Sequence, residues 1–258
     1  MAPAPTFEHV HRIDSTNAEL MRRPFGVEPQ PPRALLADLQ TAGRGRNGRA
    51  WATDPSASLA LSVALERRVG APPLLGLPLA VGVAVAQVLA EHGAAVRLKW
   101  PNDLLVDAPA GRAKAGGILV EVRSAAPLQR VVIGVGLNLA PSPALAAVQA
   151  AQPVAALFGP GAAPPREALA RALAAGLIAM VDAFERGGLA AFAARWAALD
   201  ALAGAPVTLL RPDGTRTVGV AQGIDADGAL QVALPCGGLE RVVAGDVSVR
   251  AGHGIGIG

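Results

Sequence analysis

The sequence contains no tyrosine, and its five Phe and three Trp make aromatic residues only 3% of the chain. So few rings leave little surface on which nucleic-acid bases could stack. The single cysteine, Cys236, excludes an internal disulfide framework and zinc sites built from clustered cysteines. Charged residues are also scarce, at 17% with a formal net charge of +3, whereas 52% of the residues are hydrophobic. This balance indicates a packed globular protein rather than a disordered chain.

One uncharged stretch approaches the length of a membrane span. Residues 69–90 carry no charge, and about 20 apolar residues are needed to cross a bilayer. The stretch is rich in Pro and Ala, and from Pro78 onward Val81, Val85, Val88 and Leu89 follow helical spacing, which favours a buried helix over 77–92. The N-terminus lacks a basic segment followed by an apolar run, so we expect no secretory signal and a cytoplasmic protein.

Lysine and asparagine are rare, and their positions are informative. The chain has 21 Arg but only two Lys, at 99 and 114. A lysine in such an arginine-rich chain points to a site that needs a compact ammonium rather than a planar guanidinium. The four asparagines, Asn17, Asn47, Asn102 and Asn138, lie in short polar or glycine-rich segments. Chance placement is the alternative explanation for both patterns.

Hydrophobic periodicity predicts a mixed α and β organisation. Thr16 and Glu19 are spaced as a capping box that opens a short helix ending near Arg22. We predict strands over 33–39, 58–65, 96–99, 104–106, 116–122 and 130–139, and helices over 77–92, 166–186 and 188–199. Beyond Gly204 the sequence pattern changes and predicts short strands separated by turn sequences. These strands are predicted at 207–210, 216–224, 229–234 and 240–249. We therefore expect a large domain over residues 1–203 and a small β-barrel domain over 204–258.

The segment 40–51, which reads QTAGRGRNGRAW, is a candidate ligand-binding loop. Its glycines allow backbone amides to approach a ligand, and its three arginines can bind phosphate or carboxylate oxygens. It matches neither a P-loop nor the dinucleotide-binding glycine pattern. A solvated basic turn, or a contact to a nucleic-acid backbone, remains an equally good interpretation of this loop alone.

Three further polar positions are ambiguous when taken singly. Asn102 and Asp103 follow Pro101 in a turn and either present their side chains to a ligand or form an ordinary Asx-turn. Lys114 is followed by Ala115, two glycines and a predicted strand, so its ammonium either points into a cleft or is solvated. Asn138 lies in an apolar run, where a buried amide must find partners, either a ligand or backbone groups.

Five segments in this order resemble the catalytic and C-terminal domains of the biotin protein ligases. They are DSTN at 14–17, QTAGRGRNGRAW at 40–51, KWPND at 99–103, KAGGILVE at 114–121 and GVGLN at 134–138. The resemblance covers nearly the whole chain. It implies an α+β fold with a mixed-sheet catalytic domain like that of class II aminoacyl-tRNA synthetases and biotin ligases, followed by a small SH3-like β-barrel. Some members carry a DNA-binding winged helix before this domain, but here Asp14 comes too early to leave room for one.

The resemblance also implies a two-step reaction. The biotin carboxylate attacks the α-phosphate of ATP with the assistance of Mg²⁺, giving biotinyl-5′-AMP and pyrophosphate. A specific lysine of an acceptor, the biotin carboxyl carrier protein of acetyl-CoA carboxylase or a related carboxylase, then attacks the mixed anhydride. We expect no direct DNA binding, no membrane association and a possible homodimer.

By the same resemblance, residues take individual roles. Ser15, Thr16, Asn17 and Gln40 would hydrogen-bond the ureido group of biotin, and Lys114 would lie between carboxylate and α-phosphate. The predicted catalytic residues are Lys114, Arg46 and Asp103. The predicted biotin- and ATP-binding residues are Ser15, Thr16, Asn17, Gln40, Gly43, Arg44, Gly45, Arg46, Arg49, Trp51, Asn102, Lys114, Gly116, Gly117 and Asn138; no metal ligand is predicted.

Two other functions remain possible at this stage. A lipoate or octanoate ligase shares the architecture and the adenylate chemistry, although the arginine loop together with the KWPND segment favours biotin. A nucleic-acid-binding module built from the arginine loop and the terminal β-barrel is the second alternative, and the low aromatic content argues against it.

Overall fold

The computed structural model describes residues 5–71, 73–109, 111–148, 153–211, 213–243 and 248–251. Two short 3-10 turns, at Arg46–Gly48 and Leu189–Ala191, accompany the regular elements. In chain order those elements are β1 (Thr6–Ile13), α1 (Thr16–Arg22), β2 (Arg33–Gln40), β3 (Ser58–Arg68), α2 (Leu77–Glu91), β4 (Arg97–Lys99), β5 (Asp103–Ala108), β6 (Gly111–Ala125), β7 (Leu128–Asn138), α3 (Pro143–Val148), α4 (Arg166–Gly187), α5 (Ala193–Leu199), β8 (Pro206–Leu210), β9 (Arg216–Ile224), β10 (Leu230–Ala233), β11 (Leu239–Val242) and β12 (Ser248–Ala251).

A seven-stranded mixed sheet forms the larger part of the molecule, with the strand order β1-β2-β3-β7-β6-β5-β4. The first two strands are parallel and the other neighbours are antiparallel. The predicted α+β class with a mixed sheet is confirmed. Strand β1 was not predicted because it lies at the edge of the sheet, where its alternating residues are largely polar and exposed.

The central strands carry large side chains on one face and small ones on the other. In β7, Val131, Ile133, Val135 and Leu137 face the main core, whereas Gly134 and Gly136 lie on the opposite face. Strand β3 repeats this pattern: its leucines and Val63 are in the core, and its opposite face reads Ser58, Ala60, Ser62, Ala64 and Glu66. The small residues of β3 and β7 thus leave space above the middle of the sheet on the face opposite the main core, which we call the site face.

Helices α2 and α4 cover the core face of the sheet. Helix α2 buries Val81, Val85 and Leu89, as its helical spacing predicted, and it packs against α4. Helix α1 lies on the site face, where Leu20 joins a small apolar cluster with Leu35, Ala64 and Val132. None of the helices in the described ranges is both long and apolar enough to cross a membrane.

The second sheet contains five antiparallel strands in the order β11-β10-β9-β8-β12. It agrees with the predicted class of the terminal module. The single predicted strand over 240–249 is wrong: β11 and β12 are separate strands on opposite edges of the sheet. The two sheets meet where Trp100 donates from Nε1 to the carbonyl of Gly228 at 3.0 Å.

Three local predictions require correction. Ser15, not Thr16, caps α1, since the Ser15 hydroxyl accepts from the amide of Ala18. The predicted helix over 188–199 is divided, because a 3-10 turn precedes α5. Lys114 lies within β6 rather than before a strand, because the strand begins at Gly111 and contains a register shift opposite Leu104 and Leu105.

Candidate active site

The first part of the site consists of neutral polar groups at the start of α1. Ser15 and Thr16 are each 3% exposed. Gln40, at the end of β2, accepts at Oε1 from the Thr16 amide at 2.8 Å and from the Thr16 hydroxyl at 3.0 Å. Asp14 accepts from Arg22, and this hydrogen bond is the main reason that the pKa of Asp14 falls to about 2. The turn into α1 is therefore held at both its backbone and its side chains.

A buried network continues from this turn across three strands. The Ser62 hydroxyl on β3 lies 2.7 Å from Thr16 Oγ1 and 2.5 Å from Asn17 Oδ1, to which it donates. Asn17 Nδ2 donates to Glu121 Oε2 at 2.9 Å and to the carbonyl of Leu119 at 3.3 Å. Both ends of the Asn17 amide thus contact protein groups, so this residue fixes α1 on the sheet.

Two glycines of β7 provide room for the side chains above them. A Cβ atom on Gly134 would overlap the Asn17 amide, and one on Gly136 would overlap the indole of Trp51. Gly136 pairs with Gly117 on β6, and a Cβ there would lie 3.6 Å from the same indole. The indole nitrogen of Trp51 is buried and makes no hydrogen bond within the described residues. The glycines therefore form a floor against which the indole of Trp51 packs.

The loop between Gly43 and Trp51 is closed by its own backbone. The Trp51 amide donates to the carbonyl of Gly43 at 2.9 Å, and the Gly45 amide donates to that of Arg49 at 2.7 Å. Arg44 pairs with Ala50 in an isolated bridge. Asn47 adopts a left-handed conformation with φ of 54°, which asparagine tolerates better than most residues. The predicted ligand-binding loop is thus an ordered hairpin-like turn that carries three arginines.

Arg46 is the arginine of this loop that points back to the sheet. It is half-buried, and its Nη1 donates to Asn102 Oδ1 at 3.3 Å. Burial lowers the pKa of Arg46, while the nearby charge of Asp103 acts in the opposite direction. Arg44 and Arg49 are exposed. The loop therefore presents two guanidiniums at the surface and a third above the KWPND turn.

The KWPND turn and β6 bring opposite charges together. Asn102 donates from Nδ2 to the carbonyl of Ile118 at 2.7 Å, which docks the turn on β6. Asp103 Oδ1 lies 2.6 Å from Lys114 Nζ, and the two side chains are 17% and 16% exposed. Lys114 Nζ is also 5.7 Å from the centre of the Trp51 ring, within the range of a cation–π contact. Lys114 is thus held beside the glycine floor.

A short strap crosses the ends of β6 and β7. The Lys114 amide donates to the carbonyl of Pro153, and the Ala155 amide donates to that of Lys114. Asn138, which is 1% exposed, donates from Nδ2 to the carbonyl of Ala155 at 3.4 Å. Its Oδ1 is buried and makes no hydrogen bond within the described residues. This oxygen is available to accept a hydrogen bond from a ligand or a water molecule.

Eight of the predicted residues fall into two groups on one face of the sheet, whereas Gly116 faces the core on the other side. The neutral group comprises Ser15, Thr16, Asn17 and Gln40, and the charged group contains Arg46, Asn102, Asp103 and Lys114. Gly43 is buried against the Trp51 carbonyl, Gly116 packs under Leu137 and Leu104, and Gly117 lies between Lys114 and Trp51.

Sequence reasoning missed the roles of Ser62 and Glu121. Ser62 is a polar residue in the middle of an apolar strand, which was a usable signal. Glu121 closes the KAGGILVE segment, but its partner Asn17 is 104 residues away in the chain. No local pattern reveals such a contact.

Within the described residues, no group of three or more His, Cys, Asp or Glu side chains is placed to hold a metal ion. The arrangement offers neutral donors and acceptors at one end and ammonium and guanidinium groups at the other. Such a site can bind an uncharged polar group and stabilise negative charge a short distance away.

Comparison with known protein families identifies the chain. The model of the biotin/lipoate A/B protein ligase family matches residues 10–138, and the model of the biotin protein ligase C-terminal domain matches residues 203–250. The chain belongs to the biotin/lipoate A/B protein ligase family. It is therefore a ligase, and both family models fall on segments that the structure shows as distinct sheets.

Two relatives are similar over most of their length. The bifunctional ligase/repressor BirA of Escherichia coli strain K12 is 36% identical over 241 residues, which are 93% of this chain and 72% of that protein. The biotin–acetyl-CoA-carboxylase ligase of Mycobacterium tuberculosis is 39% identical over 248 residues, 92% of this chain and 86% of that protein.

The fold of this ligase is also found among solved structures. The biotin protein ligase from Aquifex aeolicus in complex with biotin and ATP superposes with a TM-score of 0.75 at 21% identity, covering 96% of this chain and 99% of that one. At this identity the likeness supports the fold alone.

Proposed function

We propose that this ligase activates biotin with ATP as biotinyl-5′-AMP and transfers the biotinyl group to a lysine of a biotin carboxyl carrier protein. The observation that carries the proposal is the neutral buried network of Ser15, Thr16 and Gln40 beside the Lys114–Asp103 pair. The relative named as a biotin–acetyl-CoA-carboxylase ligase, at 39% identity over 92% of this chain, supports the same reaction.

In the first step, a biotin carboxylate oxygen forms a bond to the α-phosphorus of ATP, and pyrophosphate leaves with the electrons of the broken P–O bond. Negative charge grows on the α-phosphoryl oxygens as this happens. We assign Lys114 to this charge, since it is the ammonium held at the glycine floor by Asp103 and Trp51. A well-placed charged donor of this kind contributes on the order of 3 kcal/mol to transition-state stabilisation.

In the second step, the acceptor lysine amine attacks the carbonyl carbon of the mixed anhydride and AMP leaves. The amine must lose a proton as the amide forms. Asp103 is the carboxylate closest to Lys114, and we assign it to hold the Lys114 ammonium in both steps and to accept the proton that the incoming amine loses. Arg46, tied to Asn102, would bind the phosphate of the adenylate, with Arg44 and Arg49 on the outer side of the loop.

Trp51 and Asn138 complete the proposed adenylate side. Trp51 offers a flat indole on the glycine floor, which suits a purine ring. Asn138 Oδ1 is a buried acceptor without a hydrogen bond from the described residues, which suits a donor on the ribose. Gly45 and Gly117 allow close approach of backbone to ligand, whereas neighbouring protein groups fill the space beside Gly43 and Gly116.

Mg²⁺ would enter with the nucleotide. No described cluster of acidic or histidine side chains forms a metal cage, and Mg²⁺ is commonly bound through substrate phosphates with one or two carboxylates. Asp103 is the carboxylate beside the charged group of the site. The ammonium of Lys114, which Asp103 holds in place, gives this chain a cation of its own to stabilise the phosphate charge.

The neutral network favours biotin over lipoate or octanoate. A ureido group has one carbonyl and two N–H groups, which match the donors and acceptors at the start of α1. Hydroxyl and amide groups that already pair with one another can still make further hydrogen bonds, which a ureido group offers and an apolar acid does not, so the network favours the polar ligand. Since ATP and an unmodified carrier must be present together, we propose that the reaction takes place in the cytoplasm.

We also propose that residues 1–203 form the catalytic domain and residues 204–258 the small terminal domain. The second sheet, which begins at Pro206, and the C-terminal family match over 203–250 support this division.

Mass spectrometry of the bound small molecule tests the proposal. The purified chain is incubated with ATP, Mg²⁺ and biotin, lipoate or octanoate in separate reactions. We expect biotinyl-AMP alone. Formation of a lipoyl or octanoyl adenylate would instead assign the chain as a lipoate or octanoate ligase. The absence of any adenylate would contradict the proposed ligase activity.

A further inference from the structure

Helix α1 makes few apolar contacts with the sheet, although it contains several residues of the candidate site. It contains seven residues, and helices of that length are not stable alone in water. Its buried cluster contains four residues, Leu20, Leu35, Ala64 and Val132, whereas the core on the other face of the sheet includes α2, α4 and most strands. Polar contacts must therefore decide where α1 lies.

Arg130 supplies those contacts at the C-terminal end of α1. Its side chain is 5% exposed, and all five of its N–H groups donate. Nη1 donates to the carbonyls of Leu20 at 2.9 Å and Arg23 at 2.6 Å, and Nη2 donates to that of Pro24 at 2.9 Å. These carbonyls include groups that the end of a helix leaves without intrahelical partners.

The remaining donors of Arg130 bind Glu66, its cross-strand neighbour on β3. Glu66 Oε1 accepts from Nε at 3.1 Å and from Nη2 at 2.5 Å, while Oε2 accepts from the Gln30 amide at 3.0 Å. The ring of Phe25 lies 4.4 Å from the guanidinium carbon. The pair thus holds the connection from α1 to β2 at both of its ends.

The connection is not tightly packed against the sheet. A partly open cavity of about 360 Å³ lies beside it, lined by Leu20, Arg23, Ala64, Glu66 and Arg130 among others. Since side chains do not fill this space, hydrogen bonds to Arg130 and Glu66 hold the chain in place of apolar packing.

Arg130 lies on the same face of β7 as the floor of the site. The residues of that face are, in order, Arg130, Val132, Gly134, Gly136 and Asn138. Arg130 fixes the C-terminal end of α1, and Gly134 accommodates Asn17 near the N-terminal end of the helix. The two ends of this seven-residue helix are about 10 Å apart. We infer that the Arg130–Glu66 pair is a positioning device that sets α1, and with it Thr16 and Asn17, for biotin binding.

This inference rests on the proposed function, and it predicts a selective defect. Loss of the pair lets α1 shift on the sheet, so the Thr16 and Asn17 network loses its register with Gln40 and Ser62. Lys114 and Arg46 are held by β6 and by the KWPND turn, which the pair does not contact. Biotin affinity should therefore fall while the response to ATP is preserved.

The test uses the full chain with the double substitution Glu66→Gln/Arg130→Met, which avoids leaving one buried charge alone. The matched control is Arg211→Met/Glu240→Gln, which removes an Arg–Glu pair of the second sheet. We expect the dissociation constant for biotin without ATP to rise about tenfold or more in the first variant. The KM for ATP and the kcat at saturating biotin should stay within about threefold, and the control should bind biotin as the wild type does.

A graded series checks that the effect comes from the hydrogen bonds. Arg130→Lys keeps the charge beside Glu66 but offers three donors instead of five, so its biotin affinity should lie between those of the wild type and the double variant. Arg123→Gln removes the donor to the Met21 carbonyl, an exposed contact at the same end of α1, and should raise the dissociation constant about twofold to threefold. The latter variant decides the matter if the double variant does not fold.

Unchanged biotin affinity in the folded double variant would overturn the inference, and so would a parallel loss of biotin and ATP affinity in that variant. If the double variant does not fold and Arg123→Gln does, unchanged biotin affinity in Arg123→Gln would overturn it. Wild-type protein that binds no biotin would instead contradict the proposed function itself.

Discussion

The two ends of the active site are built in different ways. At the neutral end, Ser15, Thr16 and Asn17 are 3 to 5% exposed and each is tied to another polar group of the protein. At the charged end, Lys114 and Asp103 are 16 and 17% exposed, and the arginine loop beside them carries two exposed arginines. A rigid neutral end suits recognition of an uncharged group, whereas a more open charged end suits a nucleotide that must enter and leave as pyrophosphate and AMP.

The largest effect that separates the two ends is expected for Lys114→Ala. The change removes the ammonium assigned to the α-phosphate and leaves the neutral network intact. Adenylate formation should fall about 100- to 1,000-fold, while the dissociation constant for biotin changes little. Pyrophosphate release and biotin calorimetry measure the two quantities, and a turnover near the wild-type value would remove Lys114 from its central role.

At the neutral end, Thr16→Val should produce the reciprocal result. Valine has nearly the same shape but lacks the hydroxyl that donates to Gln40 and lies beside Ser62. The KM for biotin should rise about tenfold because buried partners are left unpaired, and kcat at saturating biotin should change far less. Steady-state kinetics with each substrate varied separately would show this. Equal changes in the KM for ATP would argue against separate ends.

A smaller effect is expected for Glu121→Gln. Glutamine still offers an oxygen to Asn17 Nδ2, but the hydrogen bond loses its charge assistance. We predict that the KM for biotin rises about threefold with kcat maintained. Glu91→Gln, on the opposite face of the sheet at the end of α2, is the matched control; a similar change in that variant would show that the effect is not specific to the network.

The smallest effect concerns the ion pair at the start of α1. The pKa of Asp14 is lowered to about 2 chiefly by its hydrogen bond with Arg22, so the ionised form stabilises the fold. The stabilisation is present above the unfolded pKa of about 3.8 and is lost as the pH falls towards 2. Because both side chains are exposed, Asp14→Asn should lower the unfolding free energy by only a few tenths of a kcal/mol at pH 7. The difference between the unfolding temperatures of the two proteins should stay constant from pH 7 to about 4 and shrink as the pH is lowered from 4 to 2, and a difference that widens in this range would contradict the assignment.

Much of the fold could be predicted because its cause is local. The alternation of large and small residues in β3 and the helical spacing of Val81, Val85 and Leu89 directly encode which face is buried. Strand β1 was missed because its residues are largely polar and none of them is fully buried, as is usual for an edge strand. The separate strands β11 and β12 were merged because the local pattern does not show that β11 pairs with the preceding β10 whereas β12 pairs with β8, which is distant in the chain.

The motifs were sufficient to predict which residues belong to the site, but not which of these residues contact one another. Short segments mark Lys114, Arg46 and Gln40 as candidates. The contacts of Asn17 with Glu121 and of Lys114 with Trp51 join segments far apart in sequence, and only the folded sheet brings them together.

The most direct test of the division between the two ends compares Gly134→Ala with Gly136→Ala. The same methyl group, two residues apart on one strand, would press on Asn17 in the first variant and on Trp51 in the second. We predict that biotin binding measured without ATP weakens markedly in Gly134→Ala and much less in Gly136→Ala, whereas the KM for ATP rises mainly in Gly136→Ala. Equal losses of biotin and ATP affinity in both variants would show that the site acts as one unit and would contradict the account.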